Sequence, residues 1–327
     1  MAKARAIVKR RKAVRNIKKI TKTMQMIATA KFQKSLKRAV GTKPYTMKVR
    51  ELVRELAATV GNVEHPLLRN PEGDQRTNRI AVLVLTSNRG LAGAYNGNVL
   101  RAAANFMRQQ EAAGKTIELH VIGKKGFSYF NFQRRAIAQR HDAVDTPRFG
   151  EIERLAQELI EQFTSGRIDA VYVAYMNFIS TGVQKPDVMT LLPLAGVEAA
   201  ADHIGQQVAE KEAQARAGAL DAKRSGADVR AAAHYTEGTI YDFSPEPRVL
   251  LDELLPLTVK SALFQAFLDA TTSEHVARMV AMKSATDNAD KMVKSLSLQY
   301  NRARQSQITT ELSEIMGGVE AMKGAAE

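Results

Sequence analysis

A glycine-containing turn between an apolar run and a helical stretch is where phosphate-binding loops sit, and Ser87 to Asn98, SNRGLAGAYNGN, occupies that position. Backbone N–H groups of such a turn, with the Arg89 guanidinium beside them, could neutralise a phosphate. The spacing does not support it. GLAGAYNG lacks GxGxxG and the chain contains no GxxxxGK[ST], so the segment reads as a tight turn. Arg89 then reads as a solvated cation, and Asn96 as a side chain that satisfies local backbone groups. The six histidines, His65, His120, His141, His203, His234 and His275, form no HExxH or HxxxH pairing and read as structural. His275, directly after Glu274 in a long helical stretch, reads as a packing or solvated residue and not as a general base. The chain has no cysteine, which removes thiolate nucleophiles, thiolate metal sites and disulfides. No Ser/His/Asp arrangement and no carboxylate pair stands beside the Gly-rich turn. These residues nominate no catalytic centre, no cofactor-binding residue, no cofactor and no metal ligand.

The elements that would have to position any site divide the chain by composition. The first Gly is Gly41, the first Pro is Pro44 and the last Pro is Pro256, and there is no glycine from Thr239 to Met316. Both ends therefore lack helix breakers, which predicts two long terminal helices. Ile7, Val14, Thr21 and Ala28 recur every seven residues, with Ile17, Met24, Ile20 and Ile27 beside them. Met282, Ala289, Leu296 and Ala303 repeat in the same way, with Ala285 and Met292 between. Two heptad seams flanked by Lys and Arg predict an antiparallel two-helix coiled coil. Helices over about Ala2–Val60 and Arg248–Met322 would be roughly 85 and 110 Å long, more than a compact core could hold. At least one should project and insert into a partner.

Between them Arg79–Thr86, Lys115–Ile122, Ala170–Phe178 and Val188–Leu194 read as strands, alternating with helices at Val99–Ala113 and Glu151–Ser165. Alternation of this kind predicts a small, mostly parallel, Rossmann-like α/β domain. The expected organisation is an N-terminal coiled-coil helix over 1–60, the α/β domain over 78–196, an Ala-rich helical insertion or linker over 197–238, and a C-terminal coiled-coil helix over 239–327. Within the third segment, Ala199 to Ala233 holds 13 alanines in 35 residues. No apolar run reaches the roughly 20 residues of a membrane-spanning helix, and the chain reads as soluble and intracellular.

Charge is localised as sharply as glycine. Residues 1–50 carry 17 Lys and Arg and no acid, leaving 31 basic against 34 acidic residues in the remainder. A basic helical block of this kind attracts polyanions, so a coiled-coil nucleic-acid-binding protein is one reading, and an α/β nucleotide enzyme using the Gly-rich turn is another.

A third reading comes from longer motifs. RNIKKITKTMQMIATAKFQKS, Arg15 to Ser35, resembles the N-terminal helix of the γ subunits of F-type ATP synthases, the match resting on Lys19, Ile20, Thr21, Lys22, Met24 and Met26. Ser273 to Gly318, beginning SEHVARMVAMKSATDNADKM, resembles the C-terminal helix of that family, and SNRGLAGAYNGN resembles its strand-to-helix loop. Asn88 and Ala94 depart from the family pattern, which usually has an acid and a second glycine there. The resemblance covers nearly all of the chain except Ala199 to Ala233.

The resemblance implies a non-catalytic central rotor shaft with no cofactor. The hairpin would turn inside a ring of α and β subunits, coupling proton or sodium flow to ATP synthesis and hydrolysis on β. The α/β domain would join the ε subunit and the membrane c-ring. It also implies a peripheral position at the cytoplasmic face of a bacterial inner membrane, with no nucleic-acid partner. Subunit contacts would fall on Lys19, Lys22, Met24, Met26 and Arg278, and on Arg304, Gln305 and Thr309. Gln305 and Thr309, four residues apart, share a helix face with Arg304 at its edge, and NRARQSQITTEL resembles the γ segment that touches a β loop.

Overall fold

The computed structural model describes residues 2–60, 65–69, 77–142, 145–194 and 246–324. The Ala-rich stretch, His203, His234 and the start of the expected C-terminal segment at 239–245 lie outside the described residues. Contacts group the chain into two units: Lys34–Gly90 with Ala94–Glu274, and Met1–Gln33 with Leu91–Gly93 and His275–Glu327. The terminal helices, α1 (Ala2–Val60) and α5 (Pro247–Gly324), each contribute to both units.

The α/β unit is built on β1 (Arg79–Leu85), α2 (Tyr95–Ala112), β2 (Thr116–Ile122), α3 (Lys124–Phe132), β3 (Gln139–His141), α4 (Phe149–Thr164), β4 (Ala170–Phe178) and β5 (Gln184–Leu192). The strands form one sheet in the order β3-β2-β1-β4-β5, parallel except for the antiparallel edge pair β4–β5. The run RIAVLVL becomes the central strand because both faces are covered, and every residue from Ile80 to Leu85 is buried. Ala81, Leu83 and Leu85 face a core shared with Leu155, Leu159 and Phe163 of α4 and with Val53 and Leu56 of α1. Leu251, Leu255, Val259 and Leu263 of α5 join the same cluster. On the other face the Phe106 ring of α2 lies 4.7 Å from the Tyr172 ring, and Val99, Ala103 and Met107 are buried. Each such aliphatic side chain contributes about 1.5–3 kcal/mol by leaving water.

The structure differs from the sequence expectations at several boundaries. α2 starts at Tyr95, four residues before Val99, because the turn preceding it is tied down by Asn96. β5 starts at Gln184 and runs through Pro186, which a strand tolerates when it has a neighbour on one side only. α3 and β3 were absent from the expected pattern: α3 is nine residues and β3 three, too short for a period to register. Pro44 and Pro256 lie inside α1 and α5 without ending them. Each helix has buried anchors on both sides of its proline, Ala39 and Val49 in α1 and Leu251 and Val259 in α5. Packing of that extent outweighs one lost backbone bond.

In the helical unit, Val14, Ala289 and Leu296 form a small core with Ile7 and Val293 against it. Thr21, Ala28 and Met282 are also buried, as the heptads require.

Candidate functional site

The loop after β1 is closed by its own polar groups. Ser87 N–H donates to Asn96 Oδ1 at 3.0 Å, Asn96 Nδ2 donates to Ser87 Oγ at 2.9 Å, and Ser87 Oγ–H donates to the Arg89 carbonyl at 2.6 Å. The N-terminus of α3 points into the same loop, and its amides are taken as well. Lys124 N–H donates to Asn88 Oδ1, Lys125 N–H to the Ser87 carbonyl and Gly126 N–H to Thr86 Oγ1, at 3.1, 3.1 and 2.9 Å. The first amides of α3 are thus spent on the chain itself and are not available to a phosphate. Arg89 lies 3.8 Å from Asp145, an ion pair that the reading as a solvated cation did not foresee.

This arrangement depends on two glycines of GKKG that sequence reasoning passed over. Gly123 has φ +90°, and a Cβ there would stand 2.2 Å from the Thr86 carbonyl oxygen. At Gly126 a Cβ would stand 2.7 Å from Thr86 Oγ1. Thr86 fills the space with a hydroxyl that donates to the Ile122 carbonyl at 2.6 Å, stitching the ends of β1 and β2 to α3. The available signal was a Gly-x-x-Gly pair directly after a strand.

The histidines resolve individually. His65 caps the short 3-10 turn Pro66–Leu68, its Nδ1 accepting from Leu67 N–H at 3.1 Å, and burial lowers its pKa. His275 is buried in α5, the packing alternative. His120 and His141, 21 residues apart in sequence, are brought together by the β2–β3 register, with Nδ1 and Nε2 3.4 Å apart and the rings stacked. Burial, then the neighbouring His141, lowers the His120 pKa to about 4. No group of three or more His, Asp or Glu among the described residues is placed to hold a metal ion.

The helical unit places most of the remaining candidates. Across its seam Thr286 Oγ1 donates to Thr21 Oγ1 at 2.8 Å, both residues buried. Lys18 Nζ donates to Asp290 Oδ1 at 2.6 Å, and that bond and charge lower the Asp290 pKa. The Arg11 guanidinium sits 4.9 Å from the Tyr300 ring centroid. The hydroxyl pair favours one register, although each hydroxyl also reaches a carbonyl of its own helix, Thr21 that of Lys18 at 3.1 Å and Thr286 that of Met282 at 2.8 Å.

Beside the seam the expected stripe is not covered. Met24 is half-buried, but Ile17, Ile20 and Ile27 are exposed, at 53%, 59% and 53%. A two-helix seam buries one narrow strip, and the wider apolar stripe reaches past it. Lys19, Lys22 and Met26 are exposed on the same helix and Arg278 is half-buried on α5. Arg304, Gln305 and Thr309 are exposed, and the Thr309 hydroxyl donates to the Gln305 carbonyl at 3.0 Å. Ile308, Leu312, Ile315 and Met316 are exposed around them. No described helix is long and apolar enough to cross a membrane.

Comparison with known proteins gives the same assignment from end to end. The family model described as ATP synthase matches residues 3–322. The ATP synthase gamma chain of Rhodopirellula baltica is 39% identical over 325 residues, covering 99% of this chain and 100% of that one. The gamma chain of Leptospira biflexa is 34% identical over 323 residues, covering 98% and 100%. Among solved structures, the OSCP/F1/c-ring assembly of the Euglena gracilis mitochondrial ATP synthase contains a chain that aligns with a TM-score of 0.60 at 17% identity. The alignment covers 100% of this chain and 96% of that one. The rotor of the same enzyme aligns with a TM-score of 0.57 at 17% identity, covering 94% and 99%. None of these matches supports the nucleic-acid-binding alternative.

Proposed function

The chain belongs to the ATP synthase γ chain family, and from that premise we propose that it is the turning shaft that couples ion flow to ATP chemistry on neighbouring subunits. As a γ chain it is a non-catalytic, central-stalk subunit of an F-type ATP synthase. The single observation that carries the coupling role is the uncovered apolar flank of a helix pair joined across its seam by Thr21 and Thr286, in a chain that matches γ chains over its whole length.

In this reading α and β subunits surround the hairpin, and the α/β unit meets the ε subunit and the c-ring. ATP is made and hydrolysed on β, at the cytoplasmic face of a bacterial inner membrane. The shaft acts by differential contact energy: its faces are unlike, so each orientation stabilises a different set of conformations in three otherwise equivalent sites. Lys19 and Lys22 supply positive charge to acidic partner surfaces, while Met24, Met26 and Arg278 contribute apolar and charged contacts. Exposed ion pairs are worth about 0–1 kcal/mol each, so the basic helix orients more than it binds. Torque passes to the catalytic ring where Arg304, Gln305 and Thr309 grip a β loop. Charge-assisted hydrogen bonds there are worth about 1.5–3 kcal/mol once buried by the partner.

The test is the assembled complex carrying Arg304→Ala and Gln305→Ala. Both ATP hydrolysis and synthesis should fall at normal subunit stoichiometry, whereas Lys294→Ala, at an exposed position of the same helix, should change little. Wild-type turnover in the double mutant would remove this cluster from the torque path.

A further inference from the structure

The segment from Gly123 to His141 carries five Lys and Arg and no acid. Residues 51–327 as a whole hold more acids than bases, so this is a local reversal and not an extension of the basic first helix. On α3, Gly126 and Phe130 are buried four residues apart, which turns Lys124, Ser128 and Phe132 outward along one line with Lys125 beside them. Phe132 is 88% exposed, more than any other large apolar side chain among the described residues. Arg140 of β3 flanks the helix, its guanidinium 4.6 Å from the Phe127 ring centroid. Arg135 is paired with Glu111, whereas Lys124, Lys125 and Arg134 are exposed and make no ion pair among the described residues.

Local physics disfavours three of these cations. Lys124 and Lys125 open α3, where the positive end of the helix dipole favours acids and where α3 has none. Arg134 follows the helix in the left-handed region, φ +54°, at the position that glycine usually takes. It closes a Schellman turn there, Arg134 N–H donating to the Asn131 carbonyl and Arg135 N–H to the Phe130 carbonyl, both at 3.0 Å. A chain shaped by stability alone would place acids at the first two positions and glycine at the third. Cations set against local preference, on a face that also exposes a phenylalanine, indicate a use outside the fold.

We propose that this α3 face docks an acidic protein surface on another subunit of the complex, with Phe132 seated in an apolar pocket and Lys124, Lys125 and Arg134 paired to carboxylates around it. An aromatic anchor ringed by polar contacts is the usual energetic centre of an interface, and the complementary charges set its orientation. A lipid surface suits the face less, since lipid-bound helices insert several apolar side chains and the outward line of α3 offers one. The inference rests on membership of the ATP synthase complex and not on the Arg304 cluster, so either can fail without the other.

The assembled complex, with the photoreactive p-benzoyl-phenylalanine in place of Phe132, tests it by irradiation and mass spectrometry of the products. A crosslink to an acidic stretch of another subunit is expected. Its yield should fall about threefold or more in the double mutant Lys124→Glu, Lys125→Glu, and fall as salt is raised. Arg134→Gly should also lower the yield while raising the thermal midpoint of the full chain by about 2 °C, a split that a merely structural arginine would not give. No crosslink at normal subunit stoichiometry, a crosslink to lipid or nucleic acid, or a yield unchanged by the charge reversals would overturn the proposal and leave the family assignment standing.

Discussion

In the α/β unit the polar groups of the β1 loop and the α3 N-terminus bond one another and the central strand is buried on both faces, whereas the helical unit leaves Ile17, Ile20, Ile27, Ile308 and Leu312 in solvent. The first pattern belongs to a body whose stability is its own. The second belongs to an element that depends on a partner for the rest of its burial, because contiguous exposed apolar surface marks an interaction site. Stability and function are thus distributed differently: the sheet supplies most of the internal burial, and the helix faces carry the surface available to other chains.

The largest effect that would sharpen this contrast is Gly123→Ala. A Cβ at that left-handed position would meet the Thr86 carbonyl, combining backbone strain with a clash against backbone that cannot swing away. A loss of about 4 kcal/mol in the stability of the α/β unit is expected from those two terms, read by urea denaturation. If the protein keeps wild-type stability, the stitched loop is not what holds β1, β2 and α3 together.

Next comes a matched pair of leucines. Leu83→Ala, in the fully buried centre of β1, should cost about 2–5 kcal/mol in the isolated chain. Leu312→Ala, exposed on α5, should stay within about 0.5 kcal/mol of wild type when the chain is alone. Its defect should surface only on assembly, as weaker incorporation or slower turnover in the complex. Equal costs in the isolated chain would break the comparison.

The smallest effect is a difference in acid response. The His120 pKa is lowered from 6.5 to about 4, so the unfolded chain takes up its proton first. Stability of the α/β unit should fall as pH drops from 6.5 towards about 4 and level off below, by at most on the order of 3 kcal/mol. His120→Gln should flatten that slope in a pH series of thermal midpoints. Asp290 is a lowered carboxylate, so its contribution is present above the unfolded value of 3.8 and is lost only as pH falls below it. Added salt should weaken it, since the pair with Lys18 is solvent-screened.

Much of the architecture was legible before any coordinates. Val14, Thr21 and Ala28 and their counterparts Met282, Ala289 and Leu296 were readable as seam positions, because a heptad is a local period that burial against one partner preserves. β4 was readable from Ala170 to Phe178, because a strand covered on both faces is a continuous apolar run. Asn96 was assigned to local backbone groups, and it bonds the Ser87 N–H. The exposure of Ile17, Ile20 and Ile27 was not legible, since an apolar stripe shows which face wants burial and not how many helices arrive to provide it.

By itself the sequence determined two long helices from the absence of breakers, an α/β segment from its apolar runs, a basic first helix from its charges, and the family from motifs at both ends. These are properties of neighbouring residues. Only the tertiary structure decided that Thr86 sits over Gly123 and Gly126, that Thr21 meets Thr286, and that His120 meets His141 beside Gln162 and Arg167. Those pairings join residues from 21 to 265 positions apart. Strand order, strand register and helix pairing create them, and no local period in the chain encodes which distant partner will arrive.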